Sequence, residues 1–281
     1  MKTILVPTDF SVFANRATNV AVQIATATGA RIILLTNVVT DLNWKSLSTQ
    51  ERQNHPETLA KTTQVEIKMD KLVSSNLFKE VDVNKIVTYG LTYEKVVMHA
   101  KHLKVDLIVL GSHGNEGSDR FFIGSNIQKI MREAECPVLA IKNDAKPRKN
   151  WKKIVFAAEF DNMNTKLFEP IKKIALEFNA KIYLLYVNMP TKFKDTITVQ
   201  KQMNDFASKY PGLKFETAIY NQYELEDGVL EYASSVDADA IAMITHNRRN
   251  SPSYRVGATE SLVFRSSIPV LSISPPKEIL K

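Results

Sequence analysis

The stretch KTILVPTDFS, residues 2–11, places a short apolar run before a Pro-Thr-Asp turn, and a close copy of it stands further along the chain. The copy is KKIVFAAEFD, residues 152–161, in which residues 154–160 match residues 4–10. Three more segments repeat in the same order: ATGARIILLTNV (27–38) as EFNAKIYLLYVN (177–188), KVDLIVLGSHG (104–114) as DADAIAMITHN (237–247), and CPVLAIKN (136–143) as IPVLSISP (268–275). The 281-residue chain therefore contains two copies of one structural unit.

Short apolar runs alternate with longer segments of helical periodicity in each copy, which is typical of βαβ units and a parallel sheet. In the first copy the pattern predicts strands at about residues 2–7, 31–38, 82–88, 105–110 and 137–142. Runs such as IILL and LIVL are apolar throughout, as in strands that helices cover on both faces. The predicted fold class is α/β, with two tandem, doubly wound parallel-sheet domains of about five strands each.

Helices are predicted between these strands from apolar residues spaced three and four apart. Gly29 is placed to end the first helix in the left-handed conformation. Residues 41–81 are polar at first and then helical from about Glu57. We expect one domain at residues 1–143, a linker at 144–150 and a second domain at 151–281.

The bulk composition excludes a membrane-embedded chain. Hydrophobic residues make up 44% and charged residues 24%, and no stretch approaches the roughly 20 apolar residues of a membrane helix. The N-terminus lacks a signal-peptide pattern and Cys136 is the single cysteine, so we expect a cytoplasmic protein. The net charge of +7 attracts polyanions only weakly, its densest run lies at the expected linker, and no nucleic-acid motif is present.

Four of the nine glycines fall within fourteen residues, in the segment GSHGNEGSDRFFIGSN at 111–126. Gly111, Gly114 and Gly124 follow the fourth predicted strand in the pattern G-x2-G-x9-G-S, before a helix expected to start near Ser125. Glycines let backbone N–H groups converge on an anion, and a helix N-terminus adds unpaired N–H groups. A polyphosphate fits this arrangement, and so does an ordinary loop in which Ser125 or Asn126 caps a helix. The pattern matches neither the P-loop nor the dinucleotide fingerprint.

The opening ILVPTDFS, the glycine pattern and the closing PVLAI strand together resemble the universal stress protein family. The resemblance covers nearly the whole chain, and the second copy makes the chain look like a tandem member. In that family the glycine pattern marks members that bind ATP, so the resemblance implies ATP, with or without Mg²⁺, in the first copy. Family members commonly pair through the last strand, which implies that PVLAI meets PVLSI within the chain and that a homodimer is open to it.

By position, the resemblance also implies the ligand contacts. Pro7, Thr8 and Asp9 would approach the adenosine, and the backbone at Asn37 and Val38 would flank the base. Ribose and phosphates would be surrounded by Leu110, Gly111, His113, Gly114, Gly124, Ser125 and Asn126. The family often has a His-Val pair where this chain has Thr36-Asn37, so the base contact stays open.

Two of these residues also fit other roles. Asp9 suits a turn or helix cap, and His113 suits an exposed loop. A single histidine without a second ligand argues against a metal site.

Cys136, which precedes a predicted strand, fits a small buried residue better than a reactive thiol.

The second copy has lost most of the nucleotide pattern. With Gly124 aligned to Gly257, the replacements are Ile244 for Gly111, Asn247 for Gly114, Ala258 for Ser125, and Ala157-Ala158-Glu159 for Pro7-Thr8-Asp9. Its loop carries Arg248, Arg249 and Arg255, which fit a solvated surface loop or a general attraction for anions. We therefore expect one nucleotide site per chain, in the first domain.

The leading hypothesis is an ATP-binding stress protein whose nucleotide state regulates an unidentified protein partner, with at most slow hydrolysis. Asp9, His113 and Glu116 are the only candidates for catalytic groups, and they form no recognisable set. A nucleotide-free dimerisation scaffold stays open. So does an enzyme of the adenine-nucleotide α-hydrolase type, although PTDFSVF stands where such enzymes carry a Ser-Gly-Gly loop.

Overall fold

The computed structural model describes residues 1–112, 124–142, 151–161, 165–245 and 257–274. Within these ranges the chain forms ten β-strands and nine α-helices around a mostly parallel sheet. This architecture confirms the predicted α/β fold class. The linker at 144–150 lies outside the described residues, and the proposed domain boundaries stay a prediction.

Strands and helices alternate along both halves of the chain. The first half contains β1 (Thr3–Pro7), α1 (Val12–Thr28), β2 (Arg31–Val38), α2 (Thr49–Gln53), α3 (Pro56–Val73), β3 (Val83–Tyr89), α4 (Thr92–His102), β4 (Leu107–Ser112), α5 (Ser125–Glu133) and β5 (Val138–Lys142). The second half contains β6 (Lys153–Ala157), α6 (Glu169–Phe178), β7 (Lys181–Asn188), α7 (Thr196–Ser208), β8 (Lys214–Asn221), α8 (Leu225–Ser235), β9 (Ala240–Ile244), α9 (Ala258–Arg265) and β10 (Val270–Ile273).

All ten strands belong to one sheet in the order β3-β2-β1-β4-β5-β10-β9-β6-β7-β8. Neighbouring strands are parallel except at the junction of β5 and β10, which is antiparallel. Within the first half the strand order reverses at β1, which lies between β2 and β4. In doubly wound sheets ligands bind beyond the carboxyl ends of the strands at such a reversal.

The antiparallel junction joins the two halves as the family resemblance implied. Val270 pairs with Ala140, Leu271 with Leu139, and Ser272 with Val138. PVLAI therefore meets PVLSI within one chain. Because the junction is antiparallel, the carboxyl ends of the first-half strands and those of the second-half strands lie at opposite edges of the sheet.

Helices cover the sheet on both faces, so successive strand residues enter different cores. In β1, Ile4 and Val6 belong to the cluster that contains Val20 of α1, whereas Leu5 belongs to the cluster that contains Val96 of α4. Each cluster draws residues from both halves of the chain. The two halves thus share their cores as well as their sheet.

One hydrogen-bond anchor is repeated in both halves. Asp106, just before β4, accepts the backbone N–H groups of Lys2 at 2.8 Å and Thr3 at 3.0 Å. Asp239, at the equivalent place before β9, accepts those of Lys152 at 2.6 Å and Lys153 at 2.8 Å. The sequence repeat therefore corresponds to a repeated structure that ties the first strand of each half to the fourth.

Local signals predicted the element ends well, with one correction. Gly29 ends α1 with φ of 68°, as expected. The fourth strand was predicted at 105–110, but β4 is shifted by two residues because Lys104 adopts φ of 49° and turns the chain just before it. Gly111 consequently pairs with Ile141 inside the sheet and does not belong to the following loop.

A buried carboxylate links the halves on the α5 side. Arg132 donates from Nε to Oε1 of Glu260 at 2.6 Å and from Nη2 to Oε2 at 2.9 Å. Glu260 is 2% exposed, and its Oε2 also accepts the backbone N–H of Gly257 at 2.9 Å. A carboxylate withdrawn from water needs such partners to remain ionised.

Replacing Arg132 with methionine is expected to lower the free energy of unfolding by about 2–3 kcal/mol, because Glu260 would stay buried without its cation. Arg265 occupies the equivalent position in the second half and pairs with Asp227, where both side chains are 37% exposed. Arg265→Met is therefore the matched control, with an expected loss of about 0–1 kcal/mol. Urea unfolding measures both values, and equal losses would contradict the interpretation.

Candidate functional site

The candidate site lies where the carboxyl ends of β1 and β4 meet. These strands are neighbours, with Ile4 opposite Leu107 and Leu5 opposite Ile108. Pro7 is the last residue of β1, and Ser112 is the last residue of β4. The structure therefore brings the Pro-Thr-Asp turn and the start of the glycine segment to one edge of the sheet. His113, Gly114 and Glu116 lie outside the described residues.

The turn after β1 is held by a short chain of hydrogen bonds. Thr8 is buried; its N–H donates to the Leu35 carbonyl at 2.8 Å, and its Oγ1 accepts the N–H of Phe10 at 3.0 Å. Oδ1 of Asp9 accepts the N–H of Ser11 at 2.9 Å. Asp9 thus performs the turn-capping role, and its side chain is nevertheless exposed at the sheet edge.

Asn37 and Val38 are tied to the connection between β3 and α4. Nδ2 of Asn37 donates to the Gly90 carbonyl at 2.8 Å and to Oγ1 of Thr92 at 3.1 Å. The carbonyl of Val38 accepts the N–H of Gly90 at 3.2 Å, and Val38 is 4% exposed. Oδ1 of Asn37 is buried and has no hydrogen-bond partner in the part of the chain that the structure describes.

Gly111 is required by packing inside the protein. A Cβ atom at this position would lie 2.5 Å from the carbonyl carbon of Phe13 and 3.0 Å from the nitrogen of Ala14, in the first turn of α1. The neighbouring Leu110 is 3% exposed and packs in the core on the α4 and α5 side. Gly111 therefore allows β4 to approach α1, independently of any ligand.

Gly124, at the N-terminus of α5, differs from Gly111 because its surroundings in the described chain are open. Gly124 precedes the helix with φ of −52° and ψ of 137°, and no described side chain caps the helix. Among the described residues, a Cβ on Gly124 would meet nothing closer than Cδ1 of Ile127 at 3.9 Å. Gly124, Ser125 and Asn126 are all exposed. Packing among the described residues does not explain this glycine, and within them the N–H groups of Ser125 and Asn126 have no partner that would exclude an anion.

The equivalent edge of the second half is occupied by charges of the protein. Glu260 caps the N-terminus of α9 through the Gly257 N–H. Glu159, which aligns with Asp9, forms an ion pair with Lys192 at 3.3 Å. Asp161 pairs with Lys194 at 2.6 Å. The predicted loss of a nucleotide site in this half rests on sequence replacements, and these contacts supply a physical reason for it.

Ser112 was missed by the sequence reasoning. It is 1% exposed at the end of β4, and its Oγ has no hydrogen-bond partner within the described residues. The equivalent Thr245 forms a short hydrogen bond with Ser272 of β10. The first half has Ala140 where the second has Ser272, which leaves Ser112 without a partner. A comparison of the two copies could have found this signal.

Other reactive groups in the described ranges are few. Burial raises the pKa of the Cys136 thiol to about 12, so this cysteine stays protonated at neutral pH. This agrees with the prediction that Cys136 is a small buried residue and not a reactive thiol. No group of three or more His, Cys, Asp and Glu side chains suitable for a metal ion occurs among the described residues. In the same part of the chain, no helix has the length and apolar character needed to cross a membrane.

Fold and site together define a doubly wound α/β protein in which two equivalent helix N-termini differ: in the described residues Glu260 bonds beside the start of α9, and no side chain does so at the start of α5. The model of the universal stress protein family matches residues 1–142. The chain belongs to the universal stress protein family.

Relatives of known sequence match about half of the chain. Universal stress protein MJ0531 of Methanocaldococcus jannaschii is 26% identical in an alignment of 156 residues that covers 53% of this chain and 84% of that protein. Universal stress protein MJ0577 of the same organism is 28% identical in an alignment of 160 residues that covers 50% of this chain and 94% of that protein.

Two solved structures match nearly the whole chain. The first is a universal stress protein from Archaeoglobus fulgidus, with a TM-score of 0.75, 15% identity, and coverage of 97% of this chain and 98% of that one. The second, from Pseudomonas aeruginosa, has a TM-score of 0.63, 15% identity, and coverage of 98% and 94%. At these identities the likeness concerns the fold, including the arrangement of both halves.

The two glycines are expected to respond differently to alanine. Gly111→Ala should lower the free energy of unfolding by about 1–3 kcal/mol, because the new Cβ would overlap the α1 backbone. Gly124→Ala should change it by no more than about 0.5 kcal/mol, because that position is open. Urea unfolding of both variants makes the comparison. A large loss at Gly124 would show that packing explains this glycine too.

Removing the hydroxyl of Ser112 and removing that of Thr245 are expected to have different effects on the free energy of unfolding. Thr245→Val leaves the Ser272 hydroxyl buried and unpaired, and should lower the free energy of unfolding by about 1–3 kcal/mol. Ser112→Ala removes a hydroxyl that has no partner among the described residues, and should leave the free energy of unfolding unchanged or raise it by up to about 1 kcal/mol. Both values come from urea denaturation. Similar losses at the two positions would mean that Ser112 is bonded in solution.

Proposed function

We propose that the first half of the chain binds one ATP at the edge formed by β1, β4 and the N-terminus of α5. The observation that carries this proposal is the contrast between the two equivalent helices. Within the described residues no side chain bonds to the N–H groups at the start of α5, whereas Glu260 of α9 accepts the N–H of Gly257 just before that helix. An exposed helix start with unpaired N–H groups favours an anion, and polyphosphate is the most highly charged common ligand of such edges.

The phosphates would bind between the end of β4 and the start of α5. The backbone N–H groups after Gly124 and the Ser125 hydroxyl supply donors, and the absence of a side chain at Gly124 allows close approach. His113 and Gly114 are assigned to this part of the site from the family resemblance alone.

The adenosine would lie over the turn after β1. Asp9 is exposed, and within the described residues only its Oδ1 is engaged, which leaves a second carboxylate oxygen as an acceptor for ribose hydroxyls. The unpaired Oδ1 of Asn37 is an acceptor of the kind that the adenine amino group needs. Pro7 and Thr8 would contribute through the shape of the turn, since the Thr8 side chain is already used inside it.

We further propose a regulatory role for the bound nucleotide rather than efficient catalysis. A hydrolase would hold a base or a metal-bound water at the terminal phosphate, and Asp9 is the single described candidate near this edge. Magnesium that accompanies ATP would be held mainly by phosphate oxygens and water. The cytoplasmic location, a regulatory protein partner and the assembly of two chains remain predictions from the sequence.

Isothermal titration calorimetry tests the proposal. Wild-type protein is expected to bind ATP with a stoichiometry near one per chain. Gly124→Ala should weaken binding by at least about tenfold, or ~1.4 kcal/mol, because its Cβ would enter the phosphate position. Gly257→Ala is the matched control: the equivalent position in the second half is equally open, and the expected affinity is that of the wild type.

Three results would contradict the proposal. The first is the absence of heat up to millimolar ATP, together with no nucleotide bound to the purified protein by mass spectrometry; this would favour the dimerisation scaffold. The second is an equal loss of affinity in the two glycine variants. The third is rapid release of phosphate from ATP, which would favour an enzyme over a regulatory module.

A further inference from the structure

A cluster of basic side chains lies at the outer end of the first half, where β3 forms one edge of the ten-stranded sheet. We name it the edge cluster; its members are Lys45, Arg52, Lys95, His99 and His102. They come from the 3₁₀ turn at Trp44–Ser46, from α2 and from α4. Lys95, His99 and His102 are four and three residues apart in α4, so they share one face of that helix.

Contacts around Trp44 fix two members of the cluster, Lys45 and Arg52. Trp44 is 1% exposed, and its ring lies 6.1 Å from the ring of Tyr89 in β3. The Arg52 guanidinium lies over the Trp44 ring at 5.5 Å, and its Nη2 donates a long hydrogen bond of 3.5 Å to the Lys45 carbonyl. The cation of Arg52 is therefore fixed beside Lys45 by a buried aromatic ring.

The charges of the cluster act on one another. Burial lowers the pKa of His99, and the nearby charges of Lys45, Lys95 and His102 lower it further. None of the groups that shift this histidine is acidic. His99 is thus harder to protonate than an ordinary histidine, because burial and the neighbouring basic groups both disfavour its charged form.

Compensating groups are absent from the described ranges. No carboxylate there forms an ion pair with any member of the edge cluster. Nε2 of His99 and Nε of Arg52 are buried and have no hydrogen-bond partner in the same part of the chain. Unpaired buried nitrogen atoms and uncompensated like charges each cost free energy, and a single oxyanion would relieve both.

We propose that the edge cluster binds a phosphate group, as inorganic phosphate or as a phosphate monoester. A phosphate carries close to two negative charges and several acceptor oxygens, which suits an arginine fork beside lysines and an imidazole better than a single carboxylate does. This site is distinct from the phosphate end of the proposed ATP site, because in the sheet order β3 lies three strands from β4, a separation of about 14 Å before side chains are counted. It adjoins the adenosine end, since β2, which carries Asn37, is the direct neighbour of β3.

NMR of the histidine Cε1–H resonances in the full chain tests the site, with inorganic phosphate as the probe and ionic strength held constant with sodium chloride. The chain has five histidines, at positions 55, 99, 102, 113 and 246. Saturable shifts are expected for His99 and His102. His113 belongs to the glycine segment and reports separately on the ATP edge, so failure of one site is distinguishable from failure of the other.

Two pairs of substitutions provide matched variants. Lys45→Gln with Lys95→Gln should weaken phosphate binding at least about fivefold, since two cations of the cluster are removed. Lys71→Gln with Lys79→Gln removes the same net charge from exposed positions elsewhere, and should bind phosphate as the wild type does. Arg52→Lys keeps a cation near the Trp44 ring but removes the fork, and should also weaken binding.

The proposal is overturned by any of three outcomes. The shifts of His99 and His102 grow linearly without saturation, as a general response to salt would. Both double variants bind phosphate equally well. The saturable shift is confined to His113, in which case phosphate binds only at the glycine segment.

Discussion

The antiparallel pairing of β5 with β10 is the constraint on which the rest of the structure depends. Without it, each half would expose the backbone of its last strand as an unpaired sheet edge. The pairs from Val138 to Ala140 with their partners in β10 satisfy that edge inside the chain. Because this pairing is antiparallel, the strands of the two halves run in opposite directions. The carboxyl ends of the strands in the first half and in the second half therefore lie on opposite sides of the sheet.

This arrangement explains why the halves differ at equivalent positions. The end of α5 meets the start of α9, and Glu260 bonds there to both Arg132 and the Gly257 N–H. One carboxylate therefore supports the contact between the halves and caps the helix that would otherwise attract an anion. α5 has no such carboxylate at its own start. The contact between the halves and the predicted loss of an anion site in the second half would thus have the same physical origin.

Much of the fold could be predicted from local pattern. The apolar runs, the helical spacing and Gly29 identified the strands and helices, because these signals come from residues close together in the chain. The fourth strand was misplaced by two residues because its start depends on the unusual conformation of Lys104. For the same reason Gly111 was assigned to the loop, although its role is to let β4 approach Phe13 in α1.

For the candidate site, the sequence by itself determined the repeat, the family, the glycine pattern and the edge at which to look, because these depend on spacing along the chain. Tertiary structure decided which groups are already engaged. It tied Asn37 to Thr92, left Ser112 without the partner that Thr245 has, placed Arg52 over the buried Trp44 ring, and brought Lys45 close to His99. Such partners lie many residues apart, and their pairing depends on packing, which periodicity does not encode.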